Sequence, residues 1–429
     1  GQNQIAMAVE PLLDKAAREL GIDLLAIRHI NAPTDESRYG ARRQAVTSAH
    51  LRDALDMGAE QFSWEERRAR SGQRNGSKIR ATAVGQAFHS AGSSGFDGLV
   101  RITPDGILHI HSGVGNLGTY SYASTSRVAA DALQYDWDNC QIVRGDSSLG
   151  LPWNLGQFGS NTSFTMTRTN YAAAMDALRK LKEIAAIEFG GSAEDYDISG
   201  ENVFSKSNPS RRMSYARASQ KAIELGGAYS GHTVPEDINP MTARAVAGLV
   251  DTGLIGVARD NMGQSGMVPA LAAGFIEIEL DVETGKVEII DYLGVADCGT
   301  VTHPQGLSTQ IKGGAVMGFG MAASERHVYD PRWGLPGSVG LHQAKPPSYL
   351  DVPSEMDWAA VELEDPNNPV GVKGIGEPLM GCAAAALLCA ISDALGGHYF
   401  NRIPVVADMI INAAGGQPQS YRPLQVNTQ

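Results

Sequence analysis

Cysteine is scarce in this chain. Its 429 residues hold four, Cys140, Cys298, Cys382 and Cys389. No two of them form a C-x-x-C pair, which argues against zinc or iron–sulfur ligation by this chain alone. Cys382 and Cys389 lie seven residues apart on an expected helix and read as core thiols. So few cysteines fit a reducing compartment, and no secretory signal opens the chain, so the cytoplasm is the expected location. Basic blocks and basic amphipathic helices are also missing, and the formal net charge is −12. Phosphate backbones and anionic membrane surfaces need clustered Lys and Arg, so neither nucleic acid nor a membrane surface is an expected partner. No run of 18 or more apolar residues stands out, so no membrane span is expected. The first residue is Gly1 and not methionine, which reads as a trimmed start or one past the coded start.

Glycine is abundant. The 49 glycines exceed the usual share of about 7% and point to many turns or close ligand contacts. At 43% hydrophobic, the chain can bury a large core, and its length suggests two or three domains. Residues 5–20 carry Ile5, Val9, Leu12, Leu13, Ala16 and Leu20 at helical spacing, closed by Gly21. A helix and then a charged linker occupy 51–72, and a boundary is expected near residue 75. Leu99–Thr103 and Ile107–His111 flank Pro104-Asp105-Gly106 as a hairpin, and a second hairpin turns at Glu283-Thr284-Gly285. Helices are expected over about 124–133, 169–189, 310–323 and 379–395. Hairpins mixed with helices, without regular βαβ alternation, give an α+β class. The expected division is 1–75 as one segment and 76–429 as a second domain with lobes at 76–270 and 271–429.

Four segments and one dipeptide carry candidate chemistry. Gly371-Val372-Lys373-Gly374-Ile375-Gly376-Glu377-Pro378 sets one carboxylate in a glycine-rich turn, and Pro378 suits the first turn of a helix. Glu377 is then either a helix-capping glutamate or a general base shielded from water. The loop His111-Ser112-Gly113-Val114-Gly115-Asn116-Leu117-Gly118-Thr119-Tyr120 is an ordinary tight turn or a cradle of backbone N–H groups for a phosphate or polar heterocycle. It is neither a Walker loop nor a dinucleotide fingerprint. Gly159-Ser160-Asn161-Thr162-Ser163 is an N-cap region or a small-polar contact for a phosphate or pterin edge. Asp297-Cys298-Gly299-Thr300, with His303-Pro304 and Gln310 beyond, reads as a polar turn; a metal reading of Asp297 with His303 has no supporting spacing. Phe88-His89 follows in a small-residue loop, where a lone histidine is structural or, beside a redox centre, an acid or base.

Taken together, these segments resemble the molybdenum-binding subunit of the xanthine dehydrogenase/aldehyde oxidase family. Gly1-Gln2-Asn3-Gln4, Val9-Glu10, Gly21-Ile22-Asp23 and Arg28-His29-Ile30-Asn31 are similar to the stretch after the family's arginine-glycine loop. Gly113–Thr119 and Gly159–Thr162 stand in the places of its G-Q-G and pterin loops. Val295-Ala296-Asp297-Cys298-Gly299, His303-Pro304 and Gln310 resemble its D-x-G…N-P…Q run, and Gly374–Pro378 its G-x-G-E-P-P run.

The resemblance implies the molybdopterin-binding fold of that family and a molybdenum held by the pterin dithiolene, in the cytosine dinucleotide form usual in bacteria, with no direct protein ligand to the metal. It implies Glu377 as the base in adding water-derived oxygen to an electrophilic carbon. The two electrons released would leave through [2Fe-2S] clusters and FAD in partner subunits. Cofactor contacts would come from Gly115, Asn116, Leu117, Gly118, Thr119 and Tyr120, from Gly159, Ser160, Asn161, Thr162 and Ser163, and from Gln310, Gly374 and Gly376. Phe88 and His89 would line the substrate side, with His89 a second acid–base group. The substrate would be a small carbonyl compound, an aromatic N-heterocycle or an alicyclic ketone. Three departures stand out. Asn116-Leu117-Gly118 replaces G-Q-G, Leu379 replaces the second proline, and an upstream segment of the family subunit has no counterpart. The last makes this the expected C-terminal half of a split subunit, with the N-terminal half on a partner chain. The same site in hydration of an activated C=C or reduction of an aromatic thioester is the alternative, and a non-catalytic scaffold half is a third reading.

Overall fold

The computed structural model describes residues 1–146, 148 and 150–421. Two sheets organise the chain. The larger has five strands in the order Asp357–Val361, Val287–Asp297, Pro269–Asp281, Lys78–Ser90 and Arg74–Asn75. All its pairings are antiparallel except that of 287–297 with 357–361. The smaller has the order Leu254–Arg259, Asp97–Ile102, Leu108–His111, Cys140–Val143. Its last two strands are parallel, joined across helix Ser121–Ala132. Both expected hairpins are present, turning at Gly106 (φ 91°) and Gly285 (φ 70°), conformations that cost glycine little.

The expected boundary at residue 75 falls at the end of the edge strand Arg74–Asn75, which turns into Lys78–Ser90. Strand Lys78–Ser90 pairs along its whole length with Pro269–Asp281, so one sheet joins residues of both expected lobes. The expected charged linker is largely helix Trp64–Arg70, fixed by Arg67 to Glu277 and Asp291 and by Arg68 to Asp393.

Helix Glu377–Ala394 is the spine. It is apolar and small-sided, and it presses on strand Lys78–Ser90 closely enough that a Cβ at Gly85 would lie 2.4 Å from Ala386 N. Against the expectation of no such run, it is long and apolar enough to cross a bilayer; 83% of it is buried inside the molecule, as a core helix.

The first helix, Gln2–Leu20, packs on this spine by a mixed face, with Ala6, Met7, Pro11 and Ala17 buried beside Asn3, Glu10 and Asp14. Glu10 and Asp14 are buried there, each paired to the buried Arg28 at 2.8 Å. Of the apolar set at helical spacing, Leu13 and Ala16 pack on the core, whereas Ile5, Val9, Leu12 and Leu20 are 62, 43, 48 and 69% exposed. Tyr329, Trp333, Leu335, Leu341, Tyr349 and Leu350 are large apolar side chains that are also exposed.

Candidate active site

The turn before Glu377 is laid against the end of strand Val287–Asp297. Lys373 N–H donates to Cys298 O at 2.8 Å, Thr300 N–H to Gly371 O at 3.1 Å, and Gly374 N–H to Ala91 O at 3.1 Å. Gly374 is dictated by its neighbours, since a Cβ there would lie 1.6 Å from Ser160 O and 2.5 Å from Ala91 O. This contact brings the 159–163 segment onto the turn. Gly159 and Ser160 both adopt left-handed backbone (φ 62° and 55°) ahead of helix Thr162–Phe189, which begins earlier than its apolar pattern suggests.

Glu377 opens helix Glu377–Ala394, with Pro378 in its first turn. Its carboxylate is held from across the chain. Gly159 N–H donates to Oε1 at 2.9 Å, and the Ser160 hydroxyl bonds Oε2. The Ser160 Oγ also accepts the Glu377 N–H at 2.9 Å, so one hydroxyl fixes both ends of the residue. The Glu377 carboxylate makes no capping bond to its own helix; it sits at the helix N-terminus and borders a cavity.

That cavity has a volume of about 520 Å³. Leu117, Thr119, Ser160, Thr162, Ser163, Gln310, Gly376 and Glu377 line it, so residues from all four expected segments meet in one place. Val301, Leu307, Ile375 and Met380 supply apolar wall, and Phe158 stands at the rim, 63% exposed. Gly115, Asn116, Gly118, Tyr120, Gly159, Asn161 and Gly374 shape the loops without lining the cavity. Asn116 turns its carbonyl back to Gly118 N (2.9 Å) and Tyr120 N (3.4 Å), which explains why it does not take the place of the missing glutamine. Phe88 does not reach the cavity either; its ring packs on Tyr39 with centroids 5.3 Å apart. His89 Nδ1 lies 2.7 Å from Ser90 O, and its ring borders the Gly159 turn instead of lining the cavity.

Gln157 is a cavity residue that sequence reading missed. Its Oε1 accepts from Leu117 N at 2.8 Å and its Nε2 donates to Ser121 Oγ at 2.6 Å and Thr119 Oγ1 at 2.9 Å, latching the 115–121 loop. Those partners are 36 to 40 residues away, so no local pattern marks it. The metal reading of Asp297 with His303 does not hold. Asp297 pairs with Lys373, and His303 caps its own helix by accepting Gly306 N–H at 2.9 Å. Among the described residues no group of three His, Cys, Asp or Glu could hold a metal ion. Cys298, in the cavity wall, has its thiol pushed up to about 12 by burial and by the Asp297 charge, so it stays protonated. Lys345, Pro346 and Pro347 line a separate groove of about 1180 Å³.

A cavity lined by small hydroxyls, an amide and backbone close to glycine fits a bulky polar heterocycle. Comparison with known proteins agrees. Residues 57–353 match the molybdopterin cofactor-binding domain. The xanthine dehydrogenase molybdenum-binding subunit of Escherichia coli O157:H7 is 27% identical over 408 residues, covering 92% of this chain and 50% of that protein. The aldehyde oxidoreductase molybdenum-binding subunit PaoC of the same organism is 26% identical over 396 residues, covering 91% and 48%. Quinoline 2-oxidoreductase from Pseudomonas putida 86 shares the fold, with a TM-score of 0.77 at 22% identity over 96% of this chain and 52% of that one. The chain spans about half the length of the relatives it matches. It belongs to the molybdopterin cofactor-binding family, of the kind found in molybdenum-binding subunits of the xanthine dehydrogenase/aldehyde oxidase type.

Proposed function

We propose that this chain carries the base and part of the cofactor pocket of a molybdenum hydroxylase. When bound, the molybdenum cofactor would supply two-electron oxidation and acidify the oxygen donor derived from water. Thr119, Ser160, Thr162, Ser163 and Gln310 would hold its pterin and nucleotide portions by hydrogen bonds, in the cytosine dinucleotide form. Glu377 takes the proton from the water-derived oxygen as that oxygen adds to an electrophilic carbon of an aldehyde or aromatic N-heterocycle. Val301, Leu307, Ile375 and Met380 give the half-buried carboxylate an apolar wall. The observation that carries the reading is the meeting of Glu377 with Gly159 and Ser160, from a segment 217 residues away, beside one cavity.

The proposed partners are an iron–sulfur subunit, a flavin subunit and a polypeptide region that covers this half of the pocket, on another chain or on the same one. Two observations support a covering region. The first helix and the run from Tyr329 to Leu350 both expose large apolar side chains, and the matched relatives are about twice as long. All four cysteines are free thiols, which fits the cytoplasm as the compartment.

The test is Glu377→Gln in the purified complex. Turnover of aldehyde and N-heterocycle panels should be lost while molybdenum content stays at the wild-type level. Retained turnover refutes the role of Glu377. Absence of molybdenum and tungsten from the anaerobically isolated wild type refutes the enzyme reading in favour of a scaffold. Conversion of an enone to its hydroxyketone without an electron acceptor reassigns the carboxylate to hydration.

A further inference from the structure

Asp297 and Lys373 are charged groups that the proposed chemistry leaves unused. Asp297 ends the strand Val287–Asp297, and Lys373 lies four residues before Glu377. Their side chains are fully buried, with Lys373 Nζ 2.6 Å from Asp297 Oδ1. The other carboxylate oxygen accepts His50 N–H at 2.8 Å. Around them lies an apolar cluster that includes Ala296, Cys298, Leu307 and Leu379. A buried ion pair is a poor device for stability alone, because desolvating both charges offsets most of their attraction, and an apolar pair of similar volume often serves as well. Its use is better sought in specificity.

The backbone around the pair supplies that use. Residues 371–373 run antiparallel to 298–300, bridged at Val372 and Gly299. Backbone hydrogen bonds alone do not fix such a pairing, since a slip of one residue exchanges every side chain between faces. Here a slip would draw Lys373 away from Asp297 and leave both charges buried and unpaired. It would also move a residue with a Cβ under Ser160 O, where only Gly374 fits. The glycine excludes wrong registers, and the ion pair holds the right one.

We propose that Lys373 and Asp297 form a register lock for the base. They are positioning residues, and they act by fixing the phase of the turn that delivers Glu377 to Gly159 and Ser160. This rests on the proposed role of Glu377 as base, but the lock itself is read out without any substrate.

The experiment compares the wild-type complex with Lys373→Met and with the double variant Lys373→Met/Asp297→Leu. Hydrogen exchange of the 371–377 amides, thermal midpoint, molybdenum content and the kcat–KM split are measured on each. The expected result is at least tenfold faster exchange at Gly374 and Glu377 in both variants. The double variant should recover most of the thermal midpoint lost by the single one, keep its KM, and still show kcat down at least tenfold. If the single variant does not fold, the double variant carries the test alone. Unchanged exchange at 374–377 in the double variant, or recovery of both midpoint and kcat, overturns the lock and leaves the pair a packing element. If the wild type has no turnover, the role of Glu377 as base fails, while the exchange result still decides the register lock.

Discussion

The Ser160 hydroxyl accepts the backbone N–H of Glu377 at 2.9 Å and hydrogen-bonds the carboxylate of the same residue. One side chain therefore sets both the start of the spine helix and the direction of its first carboxylate. Ser160 also stands in left-handed backbone, φ 55°, a conformation that β-branched residues avoid. Replacement of Ser160 by alanine removes a hydrogen bond to a charged group, worth about 1.5–3 kcal/mol, or roughly 10- to 100-fold. We expect Ser160→Ala to lower kcat by that factor with little change in molybdenum content. Ser160→Thr keeps the hydroxyl but strains the backbone, so it should lose thermal midpoint as well. Steady-state kinetics and calorimetry on the two variants separate these effects.

Gly374 gives the more severe prediction. An alanine Cβ would sit 1.6 Å from Ser160 O and 2.5 Å from Ala91 O, both main-chain atoms without a flexible end to move. Gly374→Ala must push the 159–161 loop off Glu377 or break the Gly374–Ala91 bond. Overpacking of this kind costs about 1–3 kcal/mol or more. Turnover should fall further than in Ser160→Ala, with a thermal midpoint lowered by several degrees. A variant with wild-type kinetics would show that the turn does not need this contact.

Local chemistry in the chain was a good guide to elements and a poor one to faces. Both hairpins were readable because Pro104-Asp105-Gly106 and Glu283-Thr284-Gly285 state their turns. Glu377 was readable as a helix start from Pro378. The first helix shows the limit. Periodicity finds residues that share a face, and it assigns the apolar face to the core by default. Here Arg28 makes Glu10 and Asp14 buriable, so they go in beside Ala6, Met7 and Ala17 while Val9 and Leu12 face out. The candidate site was legible as separate segments, whereas their meeting depends on contacts such as Ser160 with Glu377, 217 residues apart. Gln157, Asn116 and Phe88 take places decided by such distant partners, and nothing near them in the chain reveals it.

That helix makes its own prediction. Arg28 bonds Glu10 Oε2 and Asp14 Oδ1 at 2.8 Å each, and all three are buried. Burial raises the Glu10 carboxyl above its usual range even with Arg28 beside it. Arg28→Met would leave two carboxylates without their cation, and breaking a buried pair in this way costs about 3–5 kcal/mol. We expect a large drop in the urea midpoint, and partial recovery when Glu10→Gln and Asp14→Asn are added. If the triple variant is no more stable than Arg28→Met, the ion cluster is not what holds this helix on the spine.

The outward face of the same helix should behave in the opposite way. Val9 and Leu12 touch solvent, so Val9→Glu and Leu12→Glu should change the stability of the chain by no more than about 0.5 kcal/mol. In the assembled complex the same substitutions should weaken docking of the covering region, seen as dissociation in sedimentation velocity. Wild-type assembly by the double variant would show that this stripe is not part of the covered surface.

His111 ends the strand that leads into the 113–120 loop, and it is 1% exposed. Burial, reinforced by the Arg101 and His109 charges, pushes its pKa down from 6.5 to about 4. The folded state therefore keeps the imidazole neutral where the unfolded chain would protonate it. Between the two values the unfolded state binds more protons, so stability rises with pH across this window and is lost on acidification. The stabilisation is complete above about pH 6.5 and declines toward pH 4, by about 3 kcal/mol at 1.36 kcal/mol per unit. His111→Gln removes the titration and should flatten this part of the stability–pH curve, measured by urea unfolding between pH 4 and 7. An unchanged slope in the variant would place the acid sensitivity in other groups. Protonation of His111 at low pH would also put a charge at the base of the loop that Gln157 latches, so hydrogen exchange at 113–120 should increase over the same interval.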